Sequence, residues 1–315
     1  MTKKRNKKLN ILIFNFNEIL TDVIQELGDR GHNILPLDGK ESTAKKADVI
    51  VLWNETGLGG WKEWIQQYRK MGKKVILIQH GRRGTSRIYP PFNEKLESEV
   101  ICAWSKNDKK RLMDCGVSED RIKITGTTIF KHLKDRVPHK GINVVFSPEH
   151  WGGGEVQENI IVMNELRKLK GVNVISKLLM NEHYPELYLN PVISHRGTRE
   201  HLPICAEVLK TADVVVAISE STFELLAESL DIPVVIADIW QPKACDGDDR
   251  YKDYYREYSN ACTRVKDIKK LNETIMFHVK HPELLREERK QIVINDGGTD
   301  IENPLSELIK IIENK

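Results

Sequence analysis

At 315 residues the chain is longer than one average domain and comfortable for two, each able to bury a core of its own. Apolar residues make up 40% and charged residues 30%, and no apolar run approaches the roughly 18 to 20 residues that span a bilayer, which excludes a helical membrane protein and favours a soluble globular one. The formal charge of +3 is too small to argue for a nucleic-acid partner by itself.

Chain order gives an alternating pattern. The first eight residues carry five basic side chains, a solvated tail that offers a peripheral contact with anionic membrane or polymer. Leu9 to Phe14 then reads as a strand, Ile19 to Leu27 as a helix stopped by Gly28, and Ile34 to Leu37 and Asp48 to Trp53 as the next strands. The glycine-rich stretch Asn54 to Gly60 precedes a helix over Trp61 to Met71. Lys74 to Ile78 is a fourth strand and runs into Gln79-His80-Gly81, the polar segment Arg82 to Arg87, and Pro90-Pro91. Val100 to Trp104, a helix over Lys106 to Cys115 and a short strand Ile122 to Ile124 complete a first half. Strands alternating with helices over about 130 residues predict a parallel, doubly wound sheet.

A linker is expected at Arg136 to Gly141, and the pattern then restarts. Asn143 to Phe146 is a strand, Ser147 to Glu155 a glycine-rich loop, Glu158 to Lys168 a helix, and Val172 to Ser176 a strand ending at Lys177. Residues 181–203 read as loop-rich, and Ile204 to Leu209 as helix. Val214 to Ile218 is an apolar, β-branched run, interrupted by Ser219-Glu220-Ser221 before a helix that ends ahead of Pro233 and the strand Val234 to Ala237. Asp246 to Tyr258 reads as surface, Leu271 to His278 and Glu283 to Gln291 as helices, and Pro304 to Ile312 as an amphipathic helix. The expected domains are 1–137, 138–297 and a C-terminal helix in 298–315 placed to pack back on the first. No repeat of 20 to 50 residues is visible; the near-repetition is of whole α/β halves.

The polar residues that could carry chemistry collect at strand ends. Ser221 to Glu224 fits a capping box, with Ser221 as N-cap and Glu224 at N3, which needs no ligand; the same helix N-terminus suits a phosphate, with Ser219, Ser221 and Thr222 at hand. His80 ends a strand beside Gly81, where an imidazole would serve as general base; a histidine bonded at a domain surface is the competing reading. Arg82 and Arg87 suit a phosphate or acidic acceptor, or form a solvated loop. Ser147, Glu149 and His150 precede Gly152-Gly153-Gly154 and are hard to explain by packing. Lys177 and His183 end the next strand and loop, and either suits a diphosphate or is a solvated loop residue. The five cysteines form no C-x-x-C pair and the ten histidines no H-E-x-x-H spacing, so a reducing, cytoplasmic setting, no metal and no bound cofactor are expected.

These residues carry a resemblance. The layout resembles a GT-B fold glycosyltransferase, two Rossmann-like domains facing a cleft, and within that group the CDP-glycerol glycerophosphotransferases and the non-hydrolysing UDP-N-acetylglucosamine 2-epimerases. His80-Gly81 is similar to the former family's strand-end His-Gly, and Trp104-Ser105 through Gly126-Thr127 to the stretch that follows it. Lys177 with His183 and Pro185 is similar, at stretched spacing, to its Lys-x-His-Pro segment, and Ser221-Thr222 to its donor-phosphate pair before Pro233. Where the family has an acidic residue about seven before that proline, this chain has Leu226, its acids being Glu224 and Glu228. Glu149-His150 resembles part of an epimerase segment whose remainder is replaced by Trp151 and the three glycines.

The resemblance implies a transferase that moves a sugar or glycerol phosphate from a nucleotide-diphosphate sugar or CDP-glycerol to a hydroxyl acceptor such as a cell-surface polymer. Ser147, His150, Lys177, Ser219, Ser221, Thr222 and Glu224 would bind the donor, His80 and Glu149 would be catalytic, and Gly81, Arg82 and Arg87 would meet acceptor or phosphate. Alternatives are a phage-type glycosyltransferase acting on a modified nucleic-acid base, an epimerase, and a non-catalytic nucleotide-sugar binding protein.

Overall fold

Short runs of Val, Ile, Leu and Ala form the strands, because residues buried on both faces of a parallel sheet must be apolar without alternation. Val49–Leu52 and Val214–Ala217 are each buried at all four positions. The structure, a computed structural model, describes residues 8–14, 18–37, 41–53, 61–79, 81, 96–114, 116–148, 156–179, 184–195, 198–239 and 259–314. The chain divides into two compact units. Met1–His80, Pro91–Thr128 and Gly298–Lys315 make the first, Gly81–Pro90 and Ile129–Gly297 the second.

In the first unit β1 (Asn10–Ile13), β2 (Asn33–Leu35), β3 (Val49–Leu52), β4 (Lys74–Ile78), β5 (Val100–Ala103) and β6 (Ile122–Ile124) form a parallel sheet of order β2-β1-β3-β4-β5-β6. Helices α1 (Glu18–Asp29), α2 (Glu41–Lys46), α3 (Trp61–Lys70) and α4 (Lys106–Asp114) connect these strands. The helix expected to stop at Gly28 continues to Asp29. Its stop is Gly31, whose φ of +84° suits glycine, while the His32 N–H reaches back to the Leu27 carbonyl.

In the second unit β7 (Ile142–Ser147), α5 (Val156–Leu166), β8 (Val172–Leu179), β9 (Pro191–Ser194), α6 (His201–Leu209), β10 (Val214–Ala217), α7 (Thr222–Ser229), β11 (Val234–Ala237), β12 (Cys262–Val265), α8 (Leu271–Lys280) and α9 (Arg286–Gly297) follow one another. The sheet, again parallel, has the order β12-β11-β10-β7-β8-β9. Lys177 therefore lies inside β8 rather than at its end. β9, in a segment expected to be loop, is a four-residue edge strand opened by proline, and β12 carries Thr and Arg at its centre, so neither presents an apolar run.

Both sheets are fastened by the same hydrogen bonds at their amino ends. In the first unit the Asn10 N–H donates to the Asp48 carboxylate, the Asp48 N–H to the Asn10 carbonyl, and the Asn33 amide to the Asn10 side-chain oxygen. In the second, Asn143, Asp213 and Asn173 repeat all three bonds. Asp48 and Asp213 each stand just ahead of the strand that pairs with the opening one, so the central strands start in register.

The last helix, α10 (Pro304–Glu313), belongs to the first unit and packs on α1. Asn303 caps it, accepting from the Ser306 N–H, and Leu308, Ile309 and Ile312 bury its apolar face. At its far end Lys74 donates to the carbonyls of Ile311 and Asn314. His32 accepts the Leu9 N–H at Nδ1, which places the neutral ring's proton on Nε2, 3.0 Å from Glu313 Oε1. Gly298, where the chain re-enters this unit, admits no side chain: its φ is +62° and a Cβ would stand 1.9 Å from the Trp104 carbonyl oxygen.

Candidate functional site

The order of the second sheet reverses at β7. From it the chain steps one way to β8 and β9, and the other way to β10, β11 and β12. The gap between the carboxyl ends of β7 and β10 is therefore a topological switch point, the place where open α/β sheets take their ligands. Ser147, the last residue of β7, lies in register with Ala217, the last of β10. Lys177 follows Ser176, the partner of Phe146, and so lies beside Ser147. Past β10 the chain runs through Ser219, Glu220 and Ser221 into α7. The sequence-predicted residues Ser147, Lys177, Ser219, Ser221, Thr222 and Glu224 thus come to one corner of this sheet.

Ser221 is extended and caps α7. Its hydroxyl oxygen accepts the Phe223 N–H at 3.2 Å, its own N–H donates to Glu224 Oε2 at 2.7 Å, and its O–H donates to the same oxygen. The capping box expected from Ser-x-x-Glu is complete, and the hydroxyl proton of Ser221 is committed to the carboxylate. Glu224 is fully buried. Burial pushes its carboxyl pKa up, opposed by the hydroxyls of Ser221 and Ser147. Its Oε1 makes no hydrogen bond of regular geometry. One turn earlier, Glu220 accepts the N–H and hydroxyl of Ser259 and so ties the approach to β12 to the α7 entry.

Lys177 is the basic group of this corner. Only 6% of it is exposed, and its ammonium stands 5.4 Å from the centroid of the Phe223 ring, within cation–π range. No carboxylate or other acceptor among the described residues takes its protons. A buried ammonium in that state suits an anion, and the dipole of α7 acts in the same sense. Phe223, at the second position of α7, had been legible only as an apolar residue of the helix; nothing in its spacing announces a lysine from another strand.

Gly81 groups with the second unit, and a Cβ there would come within 3.3 Å of Thr222 Oγ1, tighter than an ordinary contact. Glycine at this position lets the backbone approach the α7 entry. In the first unit Gln79 is held at both ends: its side-chain oxygen accepts the Trp104 N–H and its carbonyl the Trp104 indole N–H. His80, Arg82, Arg87, Glu149 and His150 lie outside the described residues. Among the described residues no group of three or more His, Cys, Asp or Glu side chains is placed to hold a metal ion, and no helix is long and apolar enough to cross a membrane.

No family model matches the sequence, and no curated protein matches it. Solved structures do. A histidine-to-asparagine variant of the wall teichoic acid polymerase TagF with CDPG superposes with a TM-score of 0.60 at 13% identity, over 99% of this chain and 89% of that one. The UDP-GlcNAc 2-epimerase of Neisseria meningitidis bound to UDP-GlcNAc gives 0.55 at 13% identity, over 97% and 99%. CalG4, the calicheamicin glycosyltransferase, gives 0.56 at 10% identity, over 98% of each. At such identity the likeness is one of fold, and the fold it defines is α/β GT-B, two Rossmann-like parallel-sheet units in one chain.

Proposed function

We propose that the chain is a GT-B transferase that takes a sugar or glycerol phosphate from a nucleotide-diphosphate donor and passes it to a hydroxyl acceptor, the donor resting on the second unit. One observation carries this reading: Lys177, buried and without an acceptor among the described residues, at the switch point beside the amino end of α7. A diphosphate answers both the unpaired ammonium and the helix dipole, and it is the part that nucleotide-sugar and CDP-glycerol donors share. The solved neighbours that carry UDP-GlcNAc or CDPG on the same fold support the donor class.

In this proposal Lys177, Ser147, Ser219, Thr222 and the first amides of α7 stabilise the charge that develops on the leaving diphosphate. Ser221 acts mainly by shaping the α7 entry, since its hydroxyl serves Glu224. His80 is the proposed base toward the acceptor hydroxyl, so that His80→Ala removes transfer and leaves donor binding nearly intact.

A thermal-shift screen of nucleoside diphosphates, nucleotide sugars and CDP-glycerol tests the reading, because a ligand specific for the native state raises its stability by RT ln(1 + [L]/Kd). A rise in Tm with at least one member of the panel is expected. A flat response to all of them would remove the donor site. With a donor in hand, product that depends on added acceptor marks a transferase, whereas solvent deuterium entering the sugar without acceptor marks an epimerase and overturns the transfer step.

A further inference from the structure

A lysine this deeply buried is ordinarily neutralised by a carboxylate. Glu224, the first acid of α7, forms no ion pair with it; its Oε2 takes the N–H and O–H of Ser221. The Lys177 ammonium instead faces the ring of Phe223, itself only 5% exposed. The two partners differ in what they leave behind. A carboxylate would accept one or more of the three ammonium protons and cancel the charge, so that an arriving phosphate would meet a neutral pair. A ring face attracts the cation through its quadrupole and accepts no conventional hydrogen bond. It holds the ammonium in place and leaves its protons pointing elsewhere.

The helix makes this placement stiff. Phe223 stands at the second position of α7, one residue past Thr222, and its backbone N–H is fixed by the Ser221 hydroxyl. An aromatic side chain has only two torsions to settle, and this one is packed on a capped first turn. The long lysine side chain, which would otherwise lose much freedom on binding an anion, is ordered beforehand.

We infer that Phe223 is a positioning residue of the donor site: its ring holds the Lys177 ammonium at the amino end of α7 with all three hydrogen-bond donors left for a phosphate group. This rests on the reading of the second unit as the donor site.

The test is calorimetric titration of CDP and UDP into wild type, Phe223→Leu, Phe223→Met, Phe223→Tyr, Lys177→Met and the Lys177→Met, Phe223→Leu double variant, at one ionic strength. Removing the ring face raises Kd about three- to tenfold in Phe223→Leu, with Phe223→Met following it, and Phe223→Tyr, which keeps the face, stays within about twofold of wild type. In the Lys177→Met background Phe223→Leu has no further effect, a non-additivity that a purely structural role would not produce. Should Phe223→Leu fail to fold, Phe223→Met carries the same comparison. Equal losses from the ring substitution with and without Lys177, or a Phe223→Tyr as weak as Phe223→Leu, would overturn the inference alone. If Lys177→Met binds as tightly as wild type, or neither nucleotide binds wild type, the donor-site reading falls and the inference with it.

Discussion

The Glu224 carboxylate takes both the backbone N–H and the hydroxyl proton of Ser221, through a single oxygen, at the point where β10 gives way to α7. The cap fixes the entry of the helix and buries a carboxyl group in doing so. Ser221→Ala is expected to cost about 1 kcal/mol, the usual worth of an N-cap, and Ser221→Asn to recover most of it. Urea unfolding of the three proteins checks this.

The same carboxylate makes a pH prediction. Its folded pKa is raised above the unfolded value by burial, so its contribution to stability is fully present below the unfolded value and is lost as pH rises through the folded one. Glu224→Gln keeps an acceptor for the cap and has no proton to lose. The variant should gain on wild type in Tm as pH increases from about 4.5. Parallel curves for the two proteins would contradict the assignment.

Asp231 holds a buried guanidinium. It has a φ of +57° after α7 and accepts from Arg289, which is fully buried, and from Arg286 on the surface. Among the described residues, Asp231→Ala leaves Arg289 with the carbonyls of Pro282 and Leu284. The expected loss is about 3 to 5 kcal/mol, the cost of stranding a buried charge. Adding Arg289→Met should restore much of that loss, and a double variant no better than Asp231→Ala would show that the charge is not what matters.

His278 should make the chain sensitive to mild acid. Burial holds its imidazole below its ordinary pKa, with Arg289 and His281 acting in the same direction. Nε2 meets Thr263 Oγ1 at 2.8 Å, and Nδ1 is buried without a hydrogen-bond partner among the described residues. As pH falls through about 6.5 the unfolded chain takes up a proton that the folded one refuses, so stability drops with pH until the folded value is passed. Glu224 acts in the opposite sense but equally in both proteins, so between pH 7.5 and pH 5.5 the urea midpoint of wild type should drop relative to that of His278→Gln. Equal slopes in both proteins would remove His278 from the explanation.

Much of this architecture could be read from residue order. Ala47-Asp48-Val49 and Ala212-Asp213-Val214 repeat because each aspartate bonds the opening strand of its own sheet, and this duplication underlies the two halves seen in the strand–helix alternation. Ser221 to Glu224 announced its cap because that interaction is local. What escaped is non-local or weakly patterned. β9 and β12 are short edge strands without an apolar run, and α1 ends at Gly31 rather than Gly28 because the left-handed turn, not the first glycine, stops it. At the site, Lys177 could be named as a candidate from its type and place, but its contact with Phe223 depends on β8 and α7 meeting across the sheet, which spacing within either segment does not encode.

Lys177 is proposed to meet the phosphates of a nucleotide donor on the second unit. Phosphorus NMR of CDP and UDP titrated with wild type and with Lys177→Met tests it most directly. The β-phosphate resonance of at least one nucleotide is expected to shift and broaden with wild type, and Lys177→Met to remove most of the effect at equal concentration. An unchanged β-phosphate with wild type, or the same shift in the presence of Lys177→Met, would contradict it.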